Sequence, residues 1–160
     1  MTLKNIQFGK LALYIGICLA AGFMGSYFTQ SSVTTWYLVL NKPSFNPPSW
    51  LFAPVWTTLY VLMGISVYLI ATLQYSQDRK DAIIIFFTQL LLNILWSFSF
   101  FYLRSPLIGF VNIVALWIMI LLMIIRFYKL SNTAASLQIP YLLWVSFASL
   151  LNFYIWQLNV

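Results

Sequence analysis

The stretch PLIGFVNIVALWIMILLMII, Pro106 to Ile125, runs for 20 residues without a charged side chain. A helix needs about 20 apolar residues, at 1.5 Å rise each, to cross the hydrocarbon core of a bilayer. A helix apolar on every face either lies inside a large protein or spans a membrane. At 160 residues the chain is too short for the first option. Working outward, four more stretches share this character: Phe8 to Phe28, Leu51 to Leu73, Ala82 to Leu103, and Leu137 to Leu158. In lipid the backbone has no water to bond, so each must be a helix. Together the five take about two-thirds of the chain and leave no room for a separate soluble domain. Residues 1–160 therefore read as one domain, an all-α integral membrane bundle of five transmembrane helices.

The composition agrees. Only 6% of residues are charged, against about 25% in a soluble domain. The first stretch has a basic start at Lys4 and Lys10, and Cys18-Leu19-Ala20 resembles a small-residue cleavage site. We read it as a retained span.

What is missing excludes much chemistry. There is no His and no Glu, and the only carboxylates, Asp78 and Asp81, share one short segment. Zinc sites, Ser-His-Asp and Cys-His pairs cannot be built, and a buried carboxylate dyad is not expected. No metal site is expected. A lone Cys18 allows no internal disulfide, and it reads as a small apolar residue. No dinucleotide or phosphate-loop motif is present.

The charges read as topology. Lys4, Lys10, Arg79, Lys80, Arg126 and Lys129 fall on one side of the five spans, and only Lys42 and Arg104 on the other. The excess predicts a cytoplasmic N-terminus; the membrane is expected to be a bacterial cell membrane. Scattered in short loops, these charges form no nucleic-acid surface. Asp78, Arg79, Lys80 and Asp81 read as a solvated turn.

The one long loop, Gln30 to Trp50, contains Asn41-Lys42-Pro43-Ser44-Phe45-Asn46-Pro47-Pro48-Ser49-Trp50. Its prolines remove donors and restrict their neighbours, which forbids regular helix. Ser49 is the expected N-cap of the second span, and Pro54 the expected bend in it. Pro106 and Pro140 sit in first turns, where proline is tolerated.

These blocks carry a resemblance. Trp36-Tyr37, the Lys42 to Pro48 run, Pro54-Val55-Trp56-Thr57, Tyr60 and Met63-Gly64 are similar to the TspO/MBR family. That family comprises the tryptophan-rich sensory proteins and translocator proteins, also called peripheral benzodiazepine receptors. Gln89-Leu90 with Leu92-Asn93, Trp96 and Phe100-Phe101 fits as well, as does Pro140-Tyr141-Leu142 with Trp144, Phe147-Ala148 and Leu151-Asn152. The resemblance implies five membrane helices, a homodimer, and binding of porphyrins such as protoporphyrin IX. It also implies sterols and benzodiazepine-type or isoquinoline carboxamide ligands, and in some bacterial members light-dependent porphyrin breakdown. One block departs: where animal members carry a Tyr and then an Arg for cholesterol, this chain has Phe153 and Gln157.

Helical spacing groups candidate residues on shared faces. Trp56, Tyr60, Met63 and Val67 form one stripe. Gln89, Asn93 and Ser97 form a polar one beside Trp96 and Phe100, and Trp144, Ala148 and Asn152 a third. Counted from the loop end of each span, Phe100 is about 5 Å deep, Trp56 about 8 Å, Trp96 about 10 Å, Asn93 about 15 Å and Trp144 about 21 Å. They are expected to line a column that opens under the loop, with Lys42 attracting an acidic ligand group. The matching family pocket positions single out Trp56 and Trp144, also as oxidisable indoles. Intramembrane polar residues face protein or a cavity, so Asn93 and Asn152 either meet a ligand or bond between helices. Trp36, Trp50 and Trp156 sit near span ends, where Trp collects at the headgroups. Ala21 with Gly25 and Gly22 with Ser26 read as helix-packing pairs.

Aromatic contacts of about 0.5–1.5 kcal/mol each, with apolar burial, imply micromolar binding of a flat ligand. No tightly bound cofactor is expected, and without His no axial haem ligand. Three functions compete: a tetrapyrrole-binding protein with light-dependent porphyrin degradation, a porphyrin or sterol transporter, and a ligand-responsive sensor or scaffold. Buried charge for ion coupling is missing from the spans.

Overall fold

The computed structural model describes residues 6–160. Helix α1 (Phe8–Val33) leads through a short α2 (Trp36–Val39) into the proline loop, and a single 3-10 turn (Ser49–Leu51) opens α3 (Phe52–Ala71). Helix α4 (Gln77–Ser97) continues as a π-helical segment (Phe98–Tyr102), and α5 (Pro106–Leu130), α6 (Asn132–Ser136) and α7 (Ile139–Leu158) complete the chain. Among the described residues, five helical stretches are long and apolar enough to cross a membrane. The chain is an integral multi-pass membrane protein.

The interior follows the residue pattern. In α5, Gly109, Ile113, Leu116, Ile120, Met123 and Phe127 are buried, at alternating steps of four and three. That step places them on one seam of a helix, and polar Arg126 and Lys129 fall outside it. The apolar side chains of the seam share one buried core with Met63, Val67 and Ile70 of α3, Phe86 and Leu90 of α4, and Tyr141 and Val145 of α7. Helices α1 and α3 approach closely at Gly64, where an added Cβ would lie 2.5 Å from the Ile15 Cα.

Several boundaries differ from the sequence reading. Helix α1 extends to Val33 and α5 to Leu130. The charged quartet is helix, not turn: Ser76 caps α4 by accepting from the Arg79 amide at 3.1 Å, and Asp78 sits in the first turn, where the helix dipole favours an anion. Its side chains remain at the surface. Ser49 begins the 3-10 turn and its side chain makes no cap. Pro54 occupies the first turn of α3, where its missing N–H has no intrahelical partner to lose. Lys4, one of the topology charges, lies outside the described residues.

The π segment has a visible cause and effect. The Leu103 amide donates to the Phe98 carbonyl at 2.9 Å, five residues back. This wider turn rotates both Phe100 and Phe101 inward, where two neighbours of an α-helix would diverge. The buried Ser32 hydroxyl of α1 donates to the Phe101 carbonyl at 2.7 Å. Arg104 then adopts a left-handed φ of 51°, and Ser105 caps α5 through the Ile108 amide at 3.3 Å. Ser32→Ala strands the Phe101 carbonyl, so we expect about 1–2 kcal/mol of lost stability. Thermal unfolding in detergent micelles reads it; an unchanged midpoint would show that the carbonyl finds another donor.

Candidate ligand pocket

A cavity of about 450 Å³ lies between α1, α3, α4 and α7. Nine of the ten expected ligand residues line it: Trp56, Tyr60, Asn93, Trp96, Ser97, Phe100, Trp144, Ala148 and Asn152. Their helical spacing explains the convergence, since each triplet occupies one inward face.

Aromatic rings dominate the geometry. Tyr60, Trp56, Trp96 and Phe100 follow one another at centroid separations of 5.7, 6.3 and 5.8 Å, with planes inclined by only 29°, 27° and 25°. These near-parallel rings form one column. Phe52 meets the Trp144 ring edge-on at 5.9 Å, and both rings line the cavity. A flat apolar molecule placed beside the column meets ring faces, the arrangement aromatic pairs favour when offset.

The polar floor is closed on itself. The Tyr60 hydroxyl donates to Asn93 Oδ1 at 2.5 Å, Asn93 Nδ2 donates to the Tyr141 hydroxyl at 2.8 Å, and that hydroxyl donates to Gln89 Oε1 at 3.0 Å. Gln89 Nε2 faces the Met63 sulfur at 3.9 Å. Asn152 accepts from Trp96 Nε1 at 3.1 Å and donates to the Pro106 carbonyl at 2.8 Å. Both asparagines therefore bond between helices while their side chains also line the cavity. The network fixes Tyr60 and Trp96, and so fixes the column.

Lys42 is the residue the structure does not bring to the site. Its ammonium donates to the Leu38 and Leu40 carbonyls at 3.2 and 3.1 Å and lies 4.8 Å from the Tyr37 ring centroid. It is absent from the cavity wall. Tyr37 lines the cavity instead, and burial pushes its phenol up to about 12. It is therefore neutral and uncharged at physiological pH.

The depth ladder is also corrected. Trp144 does not lie far below Trp56, because Phe52, only one turn before Trp56, touches it. The ladder treated every span as starting at one level. Instead the loop runs back along α7. Asn41 is bonded to Asn159, Phe45 packs on Tyr154 and Phe147, and Phe52 reaches Trp144.

Sequence reasoning missed the α1 wall. Gly22, Gly25 and Ser26, read as packing residues, line the cavity with Leu19, Phe23 and Thr29. A Cβ at Gly22 would collide with the Tyr60 ring, and one at Gly25 would meet the Ser97 hydroxyl at 3.1 Å. Their smallness makes room for the column. Phe101 was missed because only the π turn brings it round. Ala21 and Cys18 are buried packing residues. Trp36 packs on Phe100 at 5.6 Å and Trp156 stacks on Phe110 at 5.9 Å, while Trp50 is exposed.

Known proteins resemble this chain in sequence. The TspO/MBR family model matches residues 14–157. A tryptophan-rich protein TspO from Chlorobaculum tepidum is 49% identical over 97% of this chain and 99% of its own. One from Archaeoglobus fulgidus is 49% identical over 94% and 97%. The translocator protein of Bos taurus is 35% identical over 86% of this chain and 83% of its own. A model match across nearly all of the chain, with relatives this similar end to end, is decisive: the chain belongs to the TspO/MBR family, whose members have a membrane ligand-binding or sensory role.

Proposed function

We propose that the pocket binds a flat tetrapyrrole, with protoporphyrin IX as its type, and promotes its light-dependent breakdown. The observation that carries this reading is the near-parallel column of Tyr60, Trp56, Trp96 and Phe100 beside an apolar cavity. A porphyrin absorbs light and activates dissolved dioxygen, so the ligand brings the reactive chemistry. The protein supplies a dry site and indoles that dioxygen species can oxidise, Trp56 and Trp144 first. The absence of His and Glu suits such a role, because no acid–base machinery is called for. The same rings suit benzodiazepine-type and isoquinoline carboxamide ligands. No tightly held cofactor enters the proposal, which sets the chain as a homodimer with its N-terminus in the cytoplasm.

Illumination of the purified protein with protoporphyrin IX tests it. We expect a protein-dependent loss of porphyrin absorbance that slows several-fold in Trp56→Phe and Trp144→Phe. Phe keeps a flat ring but is far harder to oxidise, so binding persists while breakdown falters. Unchanged loss in both variants would remove the indoles from the chemistry.

A further inference from the structure

The exposed residues of the cavity wall are confined to two elements. Leu19, Phe23 and Ser26 fall on one face of α1 at steps of four and three. Ser49, Ala53 and Thr57 fall on the facing side of the 3-10 turn and α3 at steps of four. Every cavity residue from α4 and α7 is buried or half-buried. The two helices close at Gly22 against Tyr60, about one turn above Leu19, and again deeper at Gly64 against Ile15. Above those contacts they part, and the gap looks sideways, across the bundle.

The loop is clasped to the end of α7. The Asn41 amide donates to Asn159 Oδ1 and Asn159 Nδ2 donates to the Asn41 carbonyl, each at 2.9 Å. The Tyr37 hydroxyl donates to Asn46 Oδ1 at 3.0 Å. Phe45 wedges against Phe147 and Tyr154. These contacts hold the loop against α7, on the side where the sequence reading placed the opening.

We propose that the ligand enters and leaves through the α1–α3 slot directly from the loop-side leaflet, with Phe23 as the flap. The inference rests on reading the cavity as a ligand site and narrows the ligand to a flat molecule already dissolved in the bilayer. Phe23 lines the cavity yet is 76% exposed, so its ring stands in the mouth. The slot carries the hydroxyls of Ser26, Ser49 and Thr57, which tolerate a polar edge on an otherwise apolar ligand. Small Ala53 leaves the opposite lip low.

The test is release kinetics of the full chain in nanodiscs, loaded with protoporphyrin IX and, in parallel, with pyrene. Excess empty vesicles capture what leaves. Phe23→Ala speeds release of both probes roughly tenfold, and Ala53→Phe slows it, with entry changing in the same direction. Asn159→Ala, which opens the loop clasp, leaves release unchanged. Each variant is first shown to keep its unfolding midpoint. Where Ala53→Phe blocks loading, the Phe23→Ala arm decides alone. Faster release in Asn159→Ala with no change in Phe23→Ala overturns the proposal and assigns the loop end as the route. If protoporphyrin IX fails to bind but pyrene release follows Phe23, the lateral route stands and the tetrapyrrole reading falls.

Discussion

Replacing Trp56 with alanine weakens protoporphyrin IX binding about 30-fold, a loss of about 2 kcal/mol. Trp56 is the shared member of three ring contacts. It lies near-parallel to Tyr60 and Trp96 and meets Tyr141 edge-on at 6.2 Å. Truncation removes one ring face from the ligand and breaks the column in its middle, so Tyr60 and Trp96 lose a neighbour that holds them. Porphyrin absorbance titration measures the effect. Trp56→Phe keeps a ring and loses roughly tenfold at most, the range of one aromatic contact. Trp117→Phe binds like wild type, since Trp117 lies off the cavity wall and bonds to Ser146 at 2.7 Å. Undiminished binding by Trp56→Ala would separate the column from the ligand.

The second large effect concerns the fold. Gly64→Val lowers stability by about 3 kcal/mol, or roughly 6–12 °C in the unfolding midpoint. At Gly64 the obstacle is backbone: the Ile15 Cα at 2.5 Å and the Ile15 amide nitrogen at 2.9 Å from an added Cβ. A side chain can rotate away from such a clash, but a helix must move bodily. Lipid tails offer no hydrophobic drive for helix association, so close backbone contact between small residues is a main source of it. Gly16, on α1 beside Ile15, supplies the contrast. Nothing lies within 4 Å of a Cβ there, and Gly16→Ala leaves the midpoint unchanged or slightly raised. Equal loss in both would show that the backbone contact at Gly64 is not what the substitution costs.

The five spans were legible because length and apolarity are properties of the chain alone. Their ends were not. Asp78 to Asp81 looks like a surface turn, but a charged first turn is a normal way to begin a capped helix at a membrane surface. The candidate site was legible where it depended on helical spacing, as for Trp144, Ala148 and Asn152. It failed where it depended on how helices sit beside each other. Gly22 and Gly25 give the same signal whether the space they leave is filled by a neighbour or by a ligand. Lys42 suggested an anion to attract, but its own loop carbonyls occupy the ammonium. Phe101 needed a change of helical pitch that no residue in the segment announces.

That change of pitch has a consequence of its own. A π turn amounts to an α-helix with one residue too many. Each residue of an α-helix turns the chain by about 100°. The surplus residue at Phe98–Tyr102 therefore shifts the phase of all that follows: which way Phe101 looks, and from what angle the chain enters α5. The aromatic roof of the cavity is in this sense a matter of counting. No exchange of side chains can reproduce what a whole number of residues imposes.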